Sequence, residues 1–181
     1  VNEVRGEVHI GEVLEMIMDG FEEVMNEGPL AREPGIKMKV RLLDIKLHED
    51  AIHRGPAQVL PAVREAIKLA MLNAAAVLFE PMQILQIESP AQFLGELSKL
   101  VSNKRGQLLS VEQEGEHLTV KAKLPVAEMI GMNTDLKSAT EGRAHFYIVD
   151  QVFEKVPNDL QQKIKLAIRK RKGLNPDAEF A

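Results

Sequence analysis

The stretch NKRGQLLSVEQEGEHLTVKAKL, residues 103–124, decides how the second half of this chain folds. Its last seven residues alternate without a break. Leu118, Val120, Ala122 and Leu124 fall on one face, and Thr119, Lys121 and Lys123 on the other. Successive strand side chains point to opposite faces, so the pattern predicts a strand with one buried side. EGEH turns into it from a second strand, QLLSVEQ (107–113), and NKRG is the turn that opens that strand.

Working outward, residues 91–101 place Phe93, Leu94, Leu97 and Leu100 at helical spacing, and MQILQI (82–87) before them reads as a strand. Downstream, a weaker helix spans about 127–138 and a strand runs from Ala144 to about Phe153. That order, β-α-β-β-α-β, is the split βαβ arrangement of ferredoxin-like domains. A basic helix at about 158–171 follows. There is no internal repeat and no low-complexity segment.

The first half reads differently. Val13, Leu14, Ile17, Phe21 and Val24 predict a helix over 10–26, ended by Gly28-Pro29. KMKVRLLDIKL (37–47) predicts a strand with Met38, Val40 and Leu42 on one face and Leu43, Ile45 and Leu47 on the other, the phase shift marking a bulge. Leu60, Val63, Ile67, Ala70, Met71 and Ala74 form the stripe of a second helix. Pro61 fits only in a first turn, which starts this helix at about 56–58. Between strand and helix lies LHEDAIHRGPAQ (47–58), where Gly55-Pro56 puts His53 and Arg54 at a polar tip with a helix N-terminus behind them. Polar tips between rigid elements are where proteins contact other molecules. A single strand leaves its backbone unpaired, so residues 1–80 are expected to be incomplete by themselves.

Composition bounds the function. The chain has 181 residues, a formal net charge of -4, 45% apolar and 4% aromatic residues. Residues 1–36 hold two basic and nine acidic side chains, residues 37–56 five basic and three acidic, and KIKLAIRKRKG (163–173) six basic and none acidic. An acidic chain with two local basic surfaces suits contact with phosphate at chosen points better than general coating of nucleic acid. The absence of cysteine excludes disulfides and thiolate zinc sites. The longest apolar run, AAAVLF (74–79), is far short of the ~20 residues of a membrane span. The chain opens on Val1 without a signal peptide pattern, and its start is expected to be cut from something longer.

His48-Glu49 with His53 is not a zinc-protease motif, because the histidines stand five apart and Gly55-Pro56 would break the helix that motif needs. A general acid–base pair of His53 with Asp50 fits a tight loop but lacks an enclosing pocket. No GxxxxGK[ST] phosphate loop and no Gly-x-Ser-x-Gly elbow occurs, and NKRG ends in glycine where a guanine-reading NKxD has aspartate. No catalytic residue is assigned.

LHEDAIHRGPAQVLPAVR (47–64) resembles the tip of the fourth domain of archaeal and eukaryotic elongation factor 2, the ribosomal translocase. GPLAREP (28–34), LFEPMQ (78–83), NKRG (103–106), LKSATEGRA (136–144) and IRKRKGL (168–174) follow in the family's order, and GPAQ favours the archaeal branch. Lys137 stands where the family suggests arginine and Glu141 where it suggests glycine.

The resemblance implies an α+β chain. Residues 1–80 would be the later part of the fourth domain, resembling the second domain of ribosomal protein S5. Residues 81–156 would be a ferredoxin-like fifth domain, and 157–181 a C-terminal basic helix and tail. It also implies a multidomain GTPase whose GTP and magnesium bind outside this chain, which itself would hydrolyse nothing. His53 would be the histidine converted to diphthamide by its synthesis enzymes. The tip, with His53, Arg54, Asp50 and Gly55, would enter the small-subunit decoding centre as tRNA and mRNA move, with His48 and Gln58 supporting the loop. Lys104, Arg105, Arg169, Lys170 and Arg171 would face rRNA, the fifth domain lying near the large-subunit GTPase-associated region. The place of work would be the cytoplasm, with no membrane.

The residues agree in kind. A narrow polar tip suits the shallow RNA minor groove, and phosphate contact without base readout suits a factor that must pass every codon. Two rivals remain. One is a stand-alone RNA-binding module; its kind stacks bases on sheet aromatics, which QILQI and LTVKAKL lack. The other is a metal-dependent hydrolase on His48 and His53.

Overall fold

In the computed structural model Leu118, Val120, Ala122 and Leu124 are completely buried, as their alternation requires. The structure describes residues 1–5 and 10–180. In chain order the elements are α1 (Ile10–Asn26), α2 (Pro56–Asn73), β1 (Phe79–Pro90), α3 (Leu94–Asn103), β2 (Gln107–Glu114), β3 (His117–Pro125), α4 (Met132–Ala139), β4 (His145–Lys155) and α5 (Asn158–Arg171). Single 3₁₀ turns occupy Ala51–His53, Ala91–Phe93 and Val126–Glu128. The chain divides into two units: Val1–Leu78 with Pro157–Ala181, and Phe79–Val156.

The second unit is a four-stranded sheet in the order β2-β3-β1-β4 with every pairing antiparallel, the topology of the split βαβ fold. Leu85 faces Ala122 and Ile87 faces Val120 across the ladder. Two bulges interrupt it. Val149 is the extra residue between the Ile84–Asp150 and Leu85–Ile148 pairs, and Leu109 the extra one between Leu108–Ala122 and Ser110–Lys121. Leu97 and Val101 of α3 and Met132 and Leu136 of α4 close the core over Leu85, Ile87 and the β3 aliphatics. Each such side chain contributes roughly 1.5–3 kcal/mol on burial.

Gly106 lets the NKRG turn close. A Cβ there would stand 2.8 Å from Leu124 and from Val101. The weak helix expected over 127–138 is broken, since a 3₁₀ turn precedes Gly131, whose φ is 77°, and α4 begins only at Met132.

In the first unit α1 and α2 pack against each other, Gly20 permitting an approach in which a Cβ would meet Val63 at 2.9 Å. Val13, Ile17 and Val59 form one cluster and Val24, Ile67 and Met71 another. Val59 was not on the expected stripe, whereas Ala70 and Ala74, which were, are exposed. Pro61 lies within α2, one turn deeper than the first-turn rule allows.

The expected strand over 37–47 is not a ladder strand. Its one bridge pairs Leu42 with Asn2, because no other described segment offers it a partner. The phase shift is present but acts otherwise than expected. Met38 and Val40 pack on one helical cluster and Leu42, Ile45 and Leu47 on the other, while Leu43 is 60% exposed. Asp44 accepts the Ile45 N–H at 2.9 Å at the shift.

The C-terminal helix and tail, 157–181, falls in the first unit. The Gln161 side chain pairs with both the N–H and the C=O of Leu78. Arg169, 1% exposed, donates to the carbonyls of Pro29, Leu30, Asn175, Pro176 and Ala178.

Candidate functional site

The loop 47–58 forms a capped turn. Asp50 Oδ1 accepts the Ile52 N–H at 3.0 Å and caps the 3₁₀ turn Ala51–His53. The Asp50 N–H in turn donates to His48 Nδ1 at 3.0 Å. The His48 and His53 rings meet edge to face with centroids 4.6 Å apart. His53 is exposed, and α2 begins three residues later with Gly55 as N-cap and Pro56 in its first turn. The positive end of the α2 dipole therefore lies at this loop, although Pro56 has no N–H and the Gln58 and Val59 N–H groups are bonded to the Gly55 carbonyl.

One expectation needs correction. Arg54 does not stand at the tip; it is 8% exposed and folded inward. Its Nε donates to Glu12 Oε2 at 2.9 Å, with Nη2 in an ion pair at the same distance, and its Nη1 donates to the carbonyls of His48 and Glu49 at 2.8 and 2.7 Å. A buried guanidinium needs its donors satisfied, and the loop's own carbonyls are the nearest acceptors. Gly55 has φ −78°, so it needs no left-handed conformation, and a Cβ there would meet only Gln58 Oε1 at 3.4 Å. Gln58 supports the loop through its backbone N–H, bonded to Gly55 O at 3.1 Å, while its side chain is exposed.

The basic residues expected to face rRNA separate into two groups. Lys104 reaches the carbonyls of Glu128 and Ile130 and pairs with Asp135 at 2.7 Å, bridging the broken helix. Arg105 makes a two-pronged pair with Glu80 at 3.1 and 2.8 Å and bonds Glu128 at 3.0 Å, partners that raise its pKa, Glu80 foremost. Arg169 is the buried knot described above. Arg169 is buried, and Lys104 and Arg105 are partly buried with their cations paired inside the chain. Lys170 and Arg171 are exposed, and their side chains make no hydrogen bond or ion pair among the described residues.

Two residues of the loop's surroundings had no signal in the sequence. Ile52 is 74% exposed beside His53, and Glu12 anchors Arg54 from α1. An isoleucine inside a polar motif and one glutamate among nine acidic residues of the first 36 carry no local pattern. Among the described residues no group of three or more His, Asp or Glu is placed to hold a metal ion. Asp50, already capping Ile52, is not aimed at His53 as an acid–base partner.

Two family models meet close to the Leu78/Phe79 boundary between the units, although the second runs past Val156 into residues of the first unit. The family described as "Elongation factor G, domain IV" matches residues 1–75, and "Elongation factor G C-terminus" matches residues 77–164. The chain is 52% identical over 176 residues to an "Elongation factor 2" of Nanoarchaeum equitans. It is 50% identical over 174 residues to that of Methanocaldococcus jannaschii and 46% over 177 to that of Pyrococcus horikoshii. These alignments cover 97%, 96% and 98% of this chain.

The chain belongs to the family of elongation factors G and 2.

It spans 24% of the length of these elongation factor 2 relatives and matches only their C-terminal part. The mixed helix-and-sheet architecture with its four-stranded antiparallel sheet agrees with the two family domains. The sequence contains no nucleotide-binding phosphate loop. Among the described residues no helix is long and apolar enough to cross a membrane.

Proposed function

We propose that this part of a translation elongation factor carries the tip that enters the small-subunit decoding centre during GTP-dependent movement of tRNA and mRNA. His53 is the residue modified to diphthamide. One observation carries the reading: an exposed His53 on a capped 3₁₀ turn, held by contacts of its neighbours and leaving its own polar atoms available. A modifying enzyme can reach such a ring, and a narrow tip of this kind fits RNA sugar and phosphate without reading sequence. Asp50 and His48 shape the turn. The N-terminus of α2 behind the tip favours phosphate.

Lys170 and Arg171 remain as candidate rRNA contacts; Lys104, Arg105 and Arg169 do not, because their donors are already engaged. GTP and magnesium would bind in the part of the factor outside this chain, and the cytoplasm would be the place of work. Mass spectrometry of the His53 peptide from the native source tests the modification. The expected peptide carries the diphthamide extension in native material and plain histidine after expression in bacteria. An unmodified native peptide contradicts the reading.

A further inference from the structure

We infer that Glu12 is a positioning residue for His53, acting through Arg54; the inference rests on His53 being the working group of the loop. The His53 side chain makes no hydrogen bond of its own among the described residues, so its place is set by what holds its neighbours. Glu12 Oε2 accepts the Nε hydrogen bond of Arg54 and lies in an ion pair with its Nη2, both at 2.9 Å, and so holds one edge of the guanidinium plane. The remaining nitrogen, Nη1, then points at the carbonyls of His48 and Glu49. With its backbone held, His48 presents Nδ1 to the Asp50 N–H and its ring edge to His53. Glu12, 42 residues from Arg54 in sequence, thus ties the loop to α1.

The geometry requires arginine and not merely a cation. Only a planar fork presents donors to a carboxylate on one edge and to two carbonyls on the other. The Glu12 side chain is 51% exposed, so its charge is screened, and the contribution lies in the directed Nε bond and the position of the carboxylate more than in Coulomb attraction. The arrangement also removes Arg54 from competition for phosphate at the tip, leaving His53 and the α2 N-terminus to meet it.

Two experiments test this separately from the proposed function. In the 181-residue chain with labelled histidine rings, NMR reads the His48–His53 ring contact directly. Glu12→Gln and Arg54→Lys should each weaken that cross-peak and shift the His53 ring resonances, with the dispersion of the remaining amides retained. Unchanged His53 resonances and an intact cross-peak in both variants overturn the inference, whatever the factor does on the ribosome. In the full-length factor Glu12→Gln should slow tRNA–mRNA movement by about tenfold, the lower end of what losing an orienting partner costs at metal sites. It should add nothing further in a His53→Ala background. Additive losses mean that Glu12 does not act through His53 and also overturn it. Shifted resonances together with normal movement by His53→Ala support the positioning role and reject the functional reading of His53.

Discussion

Arg169 on α5 donates from Nε to the carbonyl oxygen of Leu30 at 2.6 Å, across 139 residues of sequence. Beside it, Lys172 bonds the carbonyls of Ala31 and Arg32 and pairs with Glu33 at 2.8 Å. The loop after α1 is therefore held by the last helix of the chain. Arg169→Met should lower the stability of the first unit by about 2–5 kcal/mol, since five carbonyls lose one buried charged donor together. Urea unfolding followed by a probe in α1 measures this. An unchanged midpoint would show that the knot is dispensable.

His53 and Arg54 are adjacent in sequence but opposite in role. His53→Ala should change stability by no more than about 0.5 kcal/mol, as at surface sites generally. Arg54→Ala should cost about 1–3 kcal/mol, because two carbonyls and Glu12 lose their donor. Thermal unfolding of both variants settles the contrast, and equal small effects would place Arg54 back at the surface.

Much of the fold is legible in the sequence wherever the signal is local. The aliphatic spacing of α1 and the alternation of β3 are periodicities within one element, and both fixed their elements to within about two residues. What the sequence hides is where cations find partners. Arg54, Lys104, Arg105 and Arg169 look alike in a charge count, yet each is engaged by an acceptor distant in sequence: Glu12, Glu128, Glu80 and Leu30. For the same reason residues 37–47 read as a strand, since β alternation does not say whether a pairing partner exists. Within the site, the motif located the tip and His53, but not the inward turn of Arg54.

Glu141 has φ 54°, beside Gly142 at 77°, in the turn after α4. Glutamate there replaces the glycine suggested by the family resemblance, and its conformation shows why glycine suits the position. Glu141→Gly should stabilise the second unit by about 0.5–1 kcal/mol. This is the relief of left-handed strain less the added freedom of glycine in the unfolded chain. Its pair with Arg143 at 3.0 Å joins two well-exposed groups and offsets little. A lower midpoint in denaturant would contradict this account of the turn.

On the open face of the sheet Tyr147 donates to Glu88 Oε1 at 3.0 Å, and His145 lies 3.2 Å from Glu88 Oε2. The Tyr147 bond foremost, with Gln86 and the two histidines assisting, lowers the Glu88 pKa from 4.5. A carboxylate whose pKa falls on folding contributes stability above its unfolded value and loses it as pH drops through the folded one. The second unit should therefore weaken below about pH 4.5 through this group, and Glu88→Gln should flatten that part of the profile. Denaturant midpoints at several acidic pH values measure it. An equally steep loss in the variant would assign the acid sensitivity elsewhere.

The central claim is that the exposed His53 acts on the ribosome and not on the fold or on nucleotide hydrolysis. Rapid-kinetic measurement of tRNA–mRNA movement by the full-length factor, with GTP hydrolysis read in the same reaction, tests it most directly. His53→Ala should leave hydrolysis and melting temperature nearly intact while slowing movement or raising frameshifting. A variant that melts early, or one that moves tRNA and mRNA at normal speed and in frame, contradicts the account.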